Sequence, residues 1–314
     1  MATENIPLIV IAGPTAVGKT ALSIELAKQF SGEIINGDSL QFYKGLDIGT
    51  AKIKPAEMDG IPHHLFDTIE PWEDYNASKF QKDAHSLILE IYERGNLPMI
   101  VGGTGLYLEG LLYDLEFGFE QANKPEVRQR LEEVANEIGP EALWKLLDEK
   151  DPQAASKIPY QNVRRTIRAL EVIELSGEKF SSQQAHASKQ SVYNECLIVL
   201  DRPRPQLYDR INQRVHIMLD EGLEKEARQL YKLSDGQDWQ SIKGIGYKEW
   251  WPYFEGHLSK EEVIQSVQQH SRRYAKRQLT WLRNRMKEPH WIDMTDEELA
   301  INIAKELVNQ HLNN

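Results

Sequence analysis

The first third of the chain alternates short apolar runs with stretches that repeat apolar residues at helical spacing. Leu8 to Ala12, Glu33 to Asn36 and Leu97 to Val101 read as strands, with helices at Lys19 to Phe30 and Ala77 to Arg94 between them. Such alternation predicts a parallel sheet covered by helices, with ligands received at the carboxyl ends of the strands. The polar stretch Phe117 to Lys124 breaks that rhythm. From Pro125 to Gln190 no strand run occurs, and three amphipathic stretches follow at Glu126 to Glu137, Pro140 to Glu149 and Gln161 to Ser176, the last ended by Gly177. Cys196 to Asp201 returns to a strand pattern. From Pro205 to about Lys287 the period is again helical, interrupted at Lys243-Gly244-Ile245-Gly246, and Thr295 to Leu312 reads as an acidic helix with Thr295 as N-cap and Glu298 three residues on. The expected architecture is α/β, a parallel sheet flanked by helices with an inserted all-helical domain. The core is expected at residues 1–120 and 194–314 and the insert at residues 121–193.

The turn after the first strand carries the chemistry. Gly13-Pro14-Thr15-Ala16-Val17-Gly18-Lys19-Thr20 is a complete GxxxxGK[ST] phosphate loop between an apolar strand and a helix. Its glycines let backbone N–H groups point inward, the helix aims its positive dipole end at the same spot, and Lys19 adds a full charge. The motif makes this a P-loop fold and marks a seat for a di- or triphosphate, with ATP as the default. The second strand ends in Gly37-Asp38-Ser39-Leu40-Gln41, which places Asp38 at a strand's carboxyl end facing that loop. There a carboxylate can hold Mg²⁺, act as a general base, or cap the next turn. Val101-Gly102-Gly103-Thr104-Gly105-Leu106-Tyr107 again follows an apolar strand, as a Gly-rich turn in which Thr104 can offer a hydroxyl to a phosphate. The pair His63-His64 has no further ligand at metal-like spacing, and a structural or substrate-loop role is expected.

Composition narrows the class. A chain of 314 residues, 40% hydrophobic and 27% charged, has enough apolar residues for a large core in two domains or one elaborated domain. The lone cysteine, Cys196, sits inside Cys196-Leu197-Ile198-Val199-Leu200 and reads as a buried strand thiol. No export signal and no membrane-length apolar run is found, so a cytoplasmic protein is expected, and a monomer. ATP-driven motors pair the loop with a strand ending in acids. Here the apolar strands end in Gly102-Gly103 and Asp201-Arg202, which favours a small kinase or another transferase of phosphorylated compounds.

A net charge of -11 argues against nucleic acid on average, yet the cations are unevenly placed. Arg272, Arg273, Lys276, Arg277, Arg283, Arg285 and Lys287 fall in one acid-free run with Tyr274 and Trp281 interleaved, and Lys157, Arg164, Arg165 and Arg168 share a second. Each run alone reads as a solvated helix face. Two in an acidic chain, one with aromatics suited to stacking on bases, bring RNA into view.

Together these motifs resemble one family, the tRNA dimethylallyltransferases, also called tRNA isopentenyltransferases. The resemblance rests on Gly13 to Thr20, Asp38 to Tyr43, Gly45 to Lys52, Pro62 to Leu65, Val101 to Tyr107, Pro125 to Arg128, Arg164-Arg165 with Arg168 to Glu171, Arg210 to Arg214, Gly246 to Glu249, and Tyr274 to Gln278 with Thr280-Trp281. It implies transfer of a dimethylallyl group from dimethylallyl diphosphate to N6 of the adenosine just 3′ of the anticodon, with the loop binding a departing diphosphate. It further implies Asp38 as the group that takes the amine proton, Thr104 and Arg214 as the rest of the diphosphate cradle, and Mg²⁺ on Thr20, with Asp38 a second candidate ligand. For the tRNA anticodon stem-loop it points to Asp38, Ser39, Leu40, Gln41, Thr104, Arg128, Gln161, Asn162, Val163, Arg164 and Arg165. Lys243, Tyr247, Lys248, Arg273, Lys276 and Arg277 are expected at backbone phosphates. Many relatives read His-Pro-Asn-Asp where this chain has Pro159-Tyr160-Gln161-Asn162, which bears on local hydrogen bonding and nucleotide preference. No cysteine-rich finger of the eukaryotic kind follows, so a bacterial type is expected. An adenylate isopentenyltransferase acting on free nucleotide and a P-loop kinase are the rival readings.

Overall fold

The computed structural model describes residues 6–115, 117, 125–183 and 190–313. Six strands, β1 (Pro7–Ala12), β2 (Gly32–Asn36), β3 (His63–His64), β4 (Leu97–Gly102), β5 (Asn194–Asp201) and β6 (His290–Asp293), form one sheet in the order β3-β2-β4-β1-β5-β6. Every pairing is parallel, with Ile9 of β1 opposite Met99 on one side and Cys196 on the other. Central parallel strands are covered on both faces and need apolar side chains throughout. Leu8 to Ala12 are accordingly wholly buried. The Cys196 thiol lies in this core, where burial pushes it up to about 11.

The chain divides into two compact units, Met1–Leu112 with Ser191–Asn314 and Tyr113–Gln190. In the first, α1 (Lys19–Phe30), α2 (Ala77–Glu93) and α3 (Gly105–Leu112) accompany the early strands. The second holds α4 (Pro125–Lys150), α5 (Pro152–Ala155), α6 (Val163–Ser176) and α7 (Phe180–Gln183), around a core of Leu143, Leu147, Ile158, Ile167 and Leu170. α4 is two helical segments. Gly139, at φ 82°, leaves the helical region before Pro140 starts the second, where a proline's missing N–H costs nothing. The chain then re-enters the first unit with α8 (Arg204–Glu221), α9 (Leu223–Ser234), α10 (Trp251–Phe254), α11 (Lys260–Arg285) and α12 (Glu297–Asn313). None of the helices is long and apolar enough to cross a membrane among the described residues.

Three features differ from the sequence expectation. α3 stands where the pattern indicates only a turn, because GLYLEGLL is buried from Tyr107 to Leu112 on every side and shows no polar face to mark a helical period. β3 and β6 are short edge strands; β6 buries only Ile292. The last helix is capped by Asp296, whose carboxylate accepts from Leu299 N at 3.1 Å, while Thr295 donates its hydroxyl to Asp293 instead.

Candidate active site

The phosphate loop leaves β1 at the middle of the sheet. Gly18 takes φ 118°, a conformation open to glycine, and serves as the N-cap of α1 without a capping side chain. The first N–H groups of α1 therefore remain available at the loop. Lys19 Nζ donates to Gly13 O at 3.0 Å and Pro14 O at 2.9 Å, curling the ammonium into the loop's mouth. Three arginines brace the loop from the far side of the sequence: Arg202 Nε donates to Val17 O at 3.1 Å, Arg210 Nε to Ala16 O at 3.0 Å, and Arg214 Nη1 reaches Thr15 Oγ1 at 3.4 Å. Glu297 takes a salt bridge from each of the first two.

Asp38 stands at the end of β2, two strands away. Its own N–H donates to the Asn36 carboxamide at 2.9 Å, and Asn36 Nδ2 returns to Asp38 O at 3.1 Å and Leu65 O at 3.0 Å, fixing the turn. Leu40 N donates weakly to the Asp38 carboxylate at 3.4 Å. Behind the turn, Phe42 stacks on Tyr75 with ring centroids 4.2 Å apart, and Phe80 on Tyr107 at 4.9 Å. Gly37 and Gly102 touch backbone to backbone, so a Cβ on Gly102 would fall inside the Gly37 carbonyl group. The Thr104 hydroxyl accepts from Ser39 N at 3.0 Å, tying the β4 turn to the Asp38 turn.

The charges are mutually tuned. Burial lifts the Asp38 carboxyl above the usual carboxylate range, against the pull of Lys19, the Leu40 N–H and Arg214. Burial also lowers Lys19 to about 8, with Asp38 opposing and Arg214 assisting. The Arg214 guanidinium is lowered by burial and by Arg210 beside it. Tyr107 and Tyr274, both raised by burial, face the same carboxylate. A carboxylate and an ammonium each shifted toward neutrality in a cleft are the signature of a reactive site.

Lys19, Asp38 and Arg214 line one cavity of about 830 Å³, whose lining does not include Thr104. Its wall includes Thr15 to Thr20, Asp38, Gln41 and Arg214, and also the apolar Ile48, Ile53, Phe66, Ile217 and Met218. Polar nest and apolar wall in one cavity suit a ligand with a phosphate end and a hydrocarbon end.

The remaining expected residues fall into two groups. Arg128, Gln161, Asn162, Val163, Arg164 and Arg165 belong to the second unit. There Asn162 caps α6, accepting from Arg165 N at 3.3 Å, a role asparagine fills as well as aspartate. Gln161, Arg164 and Arg165 are exposed. In the first unit Lys243, Lys248, Arg273, Lys276 and Arg277 are exposed, Lys243 paired with Asp238, and Arg272, Arg283 and Arg285 bond to Asn212, Asp201 and Glu109. Tyr247, expected at the RNA, is instead wholly buried, with its hydroxyl donating to Glu226 at 2.7 Å. His63 and His64 bond to Ile61 O and Glu33.

Gln278 joins the site without having been expected there. Its Oε1 accepts from Thr15 N at 3.0 Å and its Nε2 donates to Gly103 O at 3.0 Å, joining the phosphate loop to the β4 turn. A polar residue on the buried side of the otherwise basic α11 was the available signal.

Comparison with known proteins fits this geometry. A family model described as IPP transferase matches residues 41–285, and one described as isopentenyl transferase matches residues 6–68. A tRNA dimethylallyltransferase from Geobacillus thermodenitrificans is 50% identical over 304 residues, 96% of this chain and 95% of that one. Among solved structures, the full-length tRNA isopentenylpyrophosphate transferase from Bacillus halodurans matches with a TM-score of 0.71 at 44% identity, over 98% of each chain. A eukaryotic dimethylallyltransferase acting on tRNA matches with a TM-score of 0.83 at 29% identity, over 97% of this chain and 80% of that one. Sequence and fold agree along nearly the whole length, and the chain belongs to the IPP transferase family of tRNA dimethylallyltransferases.

Proposed function

We propose that this protein transfers a dimethylallyl group from dimethylallyl diphosphate to N6 of the adenosine immediately 3′ of the anticodon in tRNA, releasing diphosphate. The observation that carries the reading is the single cavity in which a phosphate loop, a desolvated carboxylate and an apolar wall meet.

In this reading N6 attacks C1 of the donor, the C1–O bond breaks with its electron pair leaving on the diphosphate, and the N6 proton passes to Asp38. An exocyclic adenine amine is a poor nucleophile, so alignment and proton acceptance supply much of the acceleration. Charge grows on the diphosphate oxygens as the bond breaks. The N–H groups of Ala16 to Thr20, with Lys19, Arg214 and the Thr104 hydroxyl, then bind the transition state more tightly than the ground state. The target base reaches the cavity by leaving its stack, a cost of a few kcal/mol.

The residues present suit Mg²⁺ in the manner it usually adopts, with few protein ligands and several phosphate and water oxygens. No cluster of three acidic, histidine or cysteine ligands occurs among the described residues, while the Thr20 hydroxyl opens onto the cavity. Thr20 would hold the ion, with Asp38 as second candidate, and the ion would neutralise charge on the leaving oxygens.

The Asp38 to Gln41 turn is assigned to the target base. Arg128 and Gln161 to Arg165 of the helical unit, with Lys243, Lys248, Arg273, Lys276 and Arg277, are assigned to the stem-loop. The protein is assigned to the cytoplasm as a monomer. One incubation tests the reaction: labelled dimethylallyl diphosphate is supplied with unmodified tRNA and adenosine monophosphate in competition. Label should enter tRNA, and label in the mononucleotide alone would replace this reading with that of an adenylate isopentenyltransferase.

A further inference from the structure

One carboxylate outside the reacting set holds a wall of the cavity. Asp47, Ile48, Thr50, Ala51 and Lys52 form a strap along one side of it. Three successive amides of that strap, those of Asp47, Ile48 and Gly49, donate to the Glu226 carboxylate of α9 at 3.0, 2.9 and 2.9 Å. A fourth donor, the Tyr247 hydroxyl, closes on the same group at 2.7 Å. The strap is pressed down where they meet, since a Cβ on Gly49 would lie 2.5 Å from Cζ of the Tyr247 ring. On its cavity side Gln41 Nε2 donates to Thr50 O at 3.0 Å. Glu226 itself does not line the cavity.

Four donors converging on one carboxylate fix a loop that would otherwise exchange its amides with water. Ile48 of the strap lines the cavity together with the apolar Ile53, Phe66, Ile217 and Met218. We infer that Glu226 is a positioning residue for the donor's hydrocarbon end: it pre-sets the strap so that the dimethylallyl group meets a formed wall. The inference rests on the reading of the cavity as a dimethylallyl diphosphate site. A ligand lacking the hydrocarbon is held by the phosphate loop alone and does not depend on the strap. Pre-organisation of this kind shows as affinity, because a loosened wall must be ordered at the moment of binding.

Calorimetric titration of the full-length protein with dimethylallyl diphosphate and with inorganic diphosphate separates these ligands. In Glu226→Gln one acceptor oxygen becomes an N–H₂ donor facing other donors. Dimethylallyl diphosphate should then bind about tenfold more weakly, while inorganic diphosphate stays within about twofold of wild type. Tyr247→Phe, which removes one donor and leaves the three amides, should give a loss of about two- to threefold for the dimethylallyl ester only. Equal weakening of both ligands, or of neither, overturns the assignment of Glu226. Wild-type protein that binds inorganic diphosphate no less tightly than the dimethylallyl ester contradicts the donor reading beneath it.

Discussion

Asp38 works through its surroundings. Free aspartate is already ionised at neutral pH and a weak base; burial between Lys19, Arg214, Tyr107 and Tyr274 raises its proton affinity while the two cations keep the anion accessible. Asp38→Asn should keep tRNA bound and lower turnover by about 10²- to 10⁴-fold, read as kcat against the tRNA dissociation constant. The acid limb of kcat/KM should lie above the usual aspartate range, since the base is lost as pH falls through its raised pKa. The alkaline limb should fall near pH 8, where Lys19, lowered to about 8, gives up the charge that attracts the diphosphate. A profile flat from pH 4 to 9 would remove both assignments. The phosphate loop, Asp38, Thr104 and Arg214 were legible in the chain because each sits in a local pattern or a family motif. Asn36 and Glu226 were not, and Gln278, although inside the Tyr274 to Gln278 motif, carried no sign of its partners. Gln278 meets Thr15 from 263 residues away and Glu226 meets Asp47 from 179, and no local pattern marks such pairs.

Elements announced themselves by period, and failed to where period was absent. The four central strands and α1, α2 and α11 show runs or stripes that follow from burial on two faces or one. α3 is buried throughout Tyr107 to Leu112 and β6 buries one residue, so neither carries a stripe. Edge strand β3 is held by a side chain instead. Glu33 of β2 accepts from Arg94 Nε at 2.7 Å, Asn96 Nδ2 at 2.6 Å and His64 at 2.6 Å, clasping β3 and the turn after α2. Arg94 chiefly, then Asn96 and His64, hold Glu33 down to about 2 against the effect of burial. A carboxyl whose folded pKa is depressed stabilises the fold fully above its unfolded value near 4.5, and that stability is lost as pH falls from there toward 2. Glu33→Gln should cost about 1–3 kcal/mol at neutral pH and flatten the loss of stability between pH 5 and 2, measured by denaturant titration. Gly102→Ala should push Gly37 and Asp38 out of line, lowering kcat more than melting temperature; unchanged kcat would show that the close approach is dispensable.

At the scale of the molecule an acidic protein is read as handling a polyanion. The net charge of -11 is an average over a surface on which Arg273, Lys276 and Arg277 stand exposed along α11 and Arg164 and Arg165 stand exposed at the start of α6. Binding of tRNA should therefore weaken steeply with salt, and Arg273→Ala with Arg277→Ala should flatten the slope of log K against log salt by about 0.7 to 0.9 for every phosphate no longer neutralised. A slope unaltered by both changes would move the RNA to another face. Dimethylallyl transfer to one tRNA adenosine with Asp38 as the base is tested by mass spectrometry of nucleosides in tRNA from cells lacking this protein. The dimethylallyl-bearing adenosine next to the anticodon should disappear, return with the wild-type chain and not return with Asp38→Asn. Persistence of the modified nucleoside in the deletion strain, or its full return with the asparagine variant, would contradict this assignment.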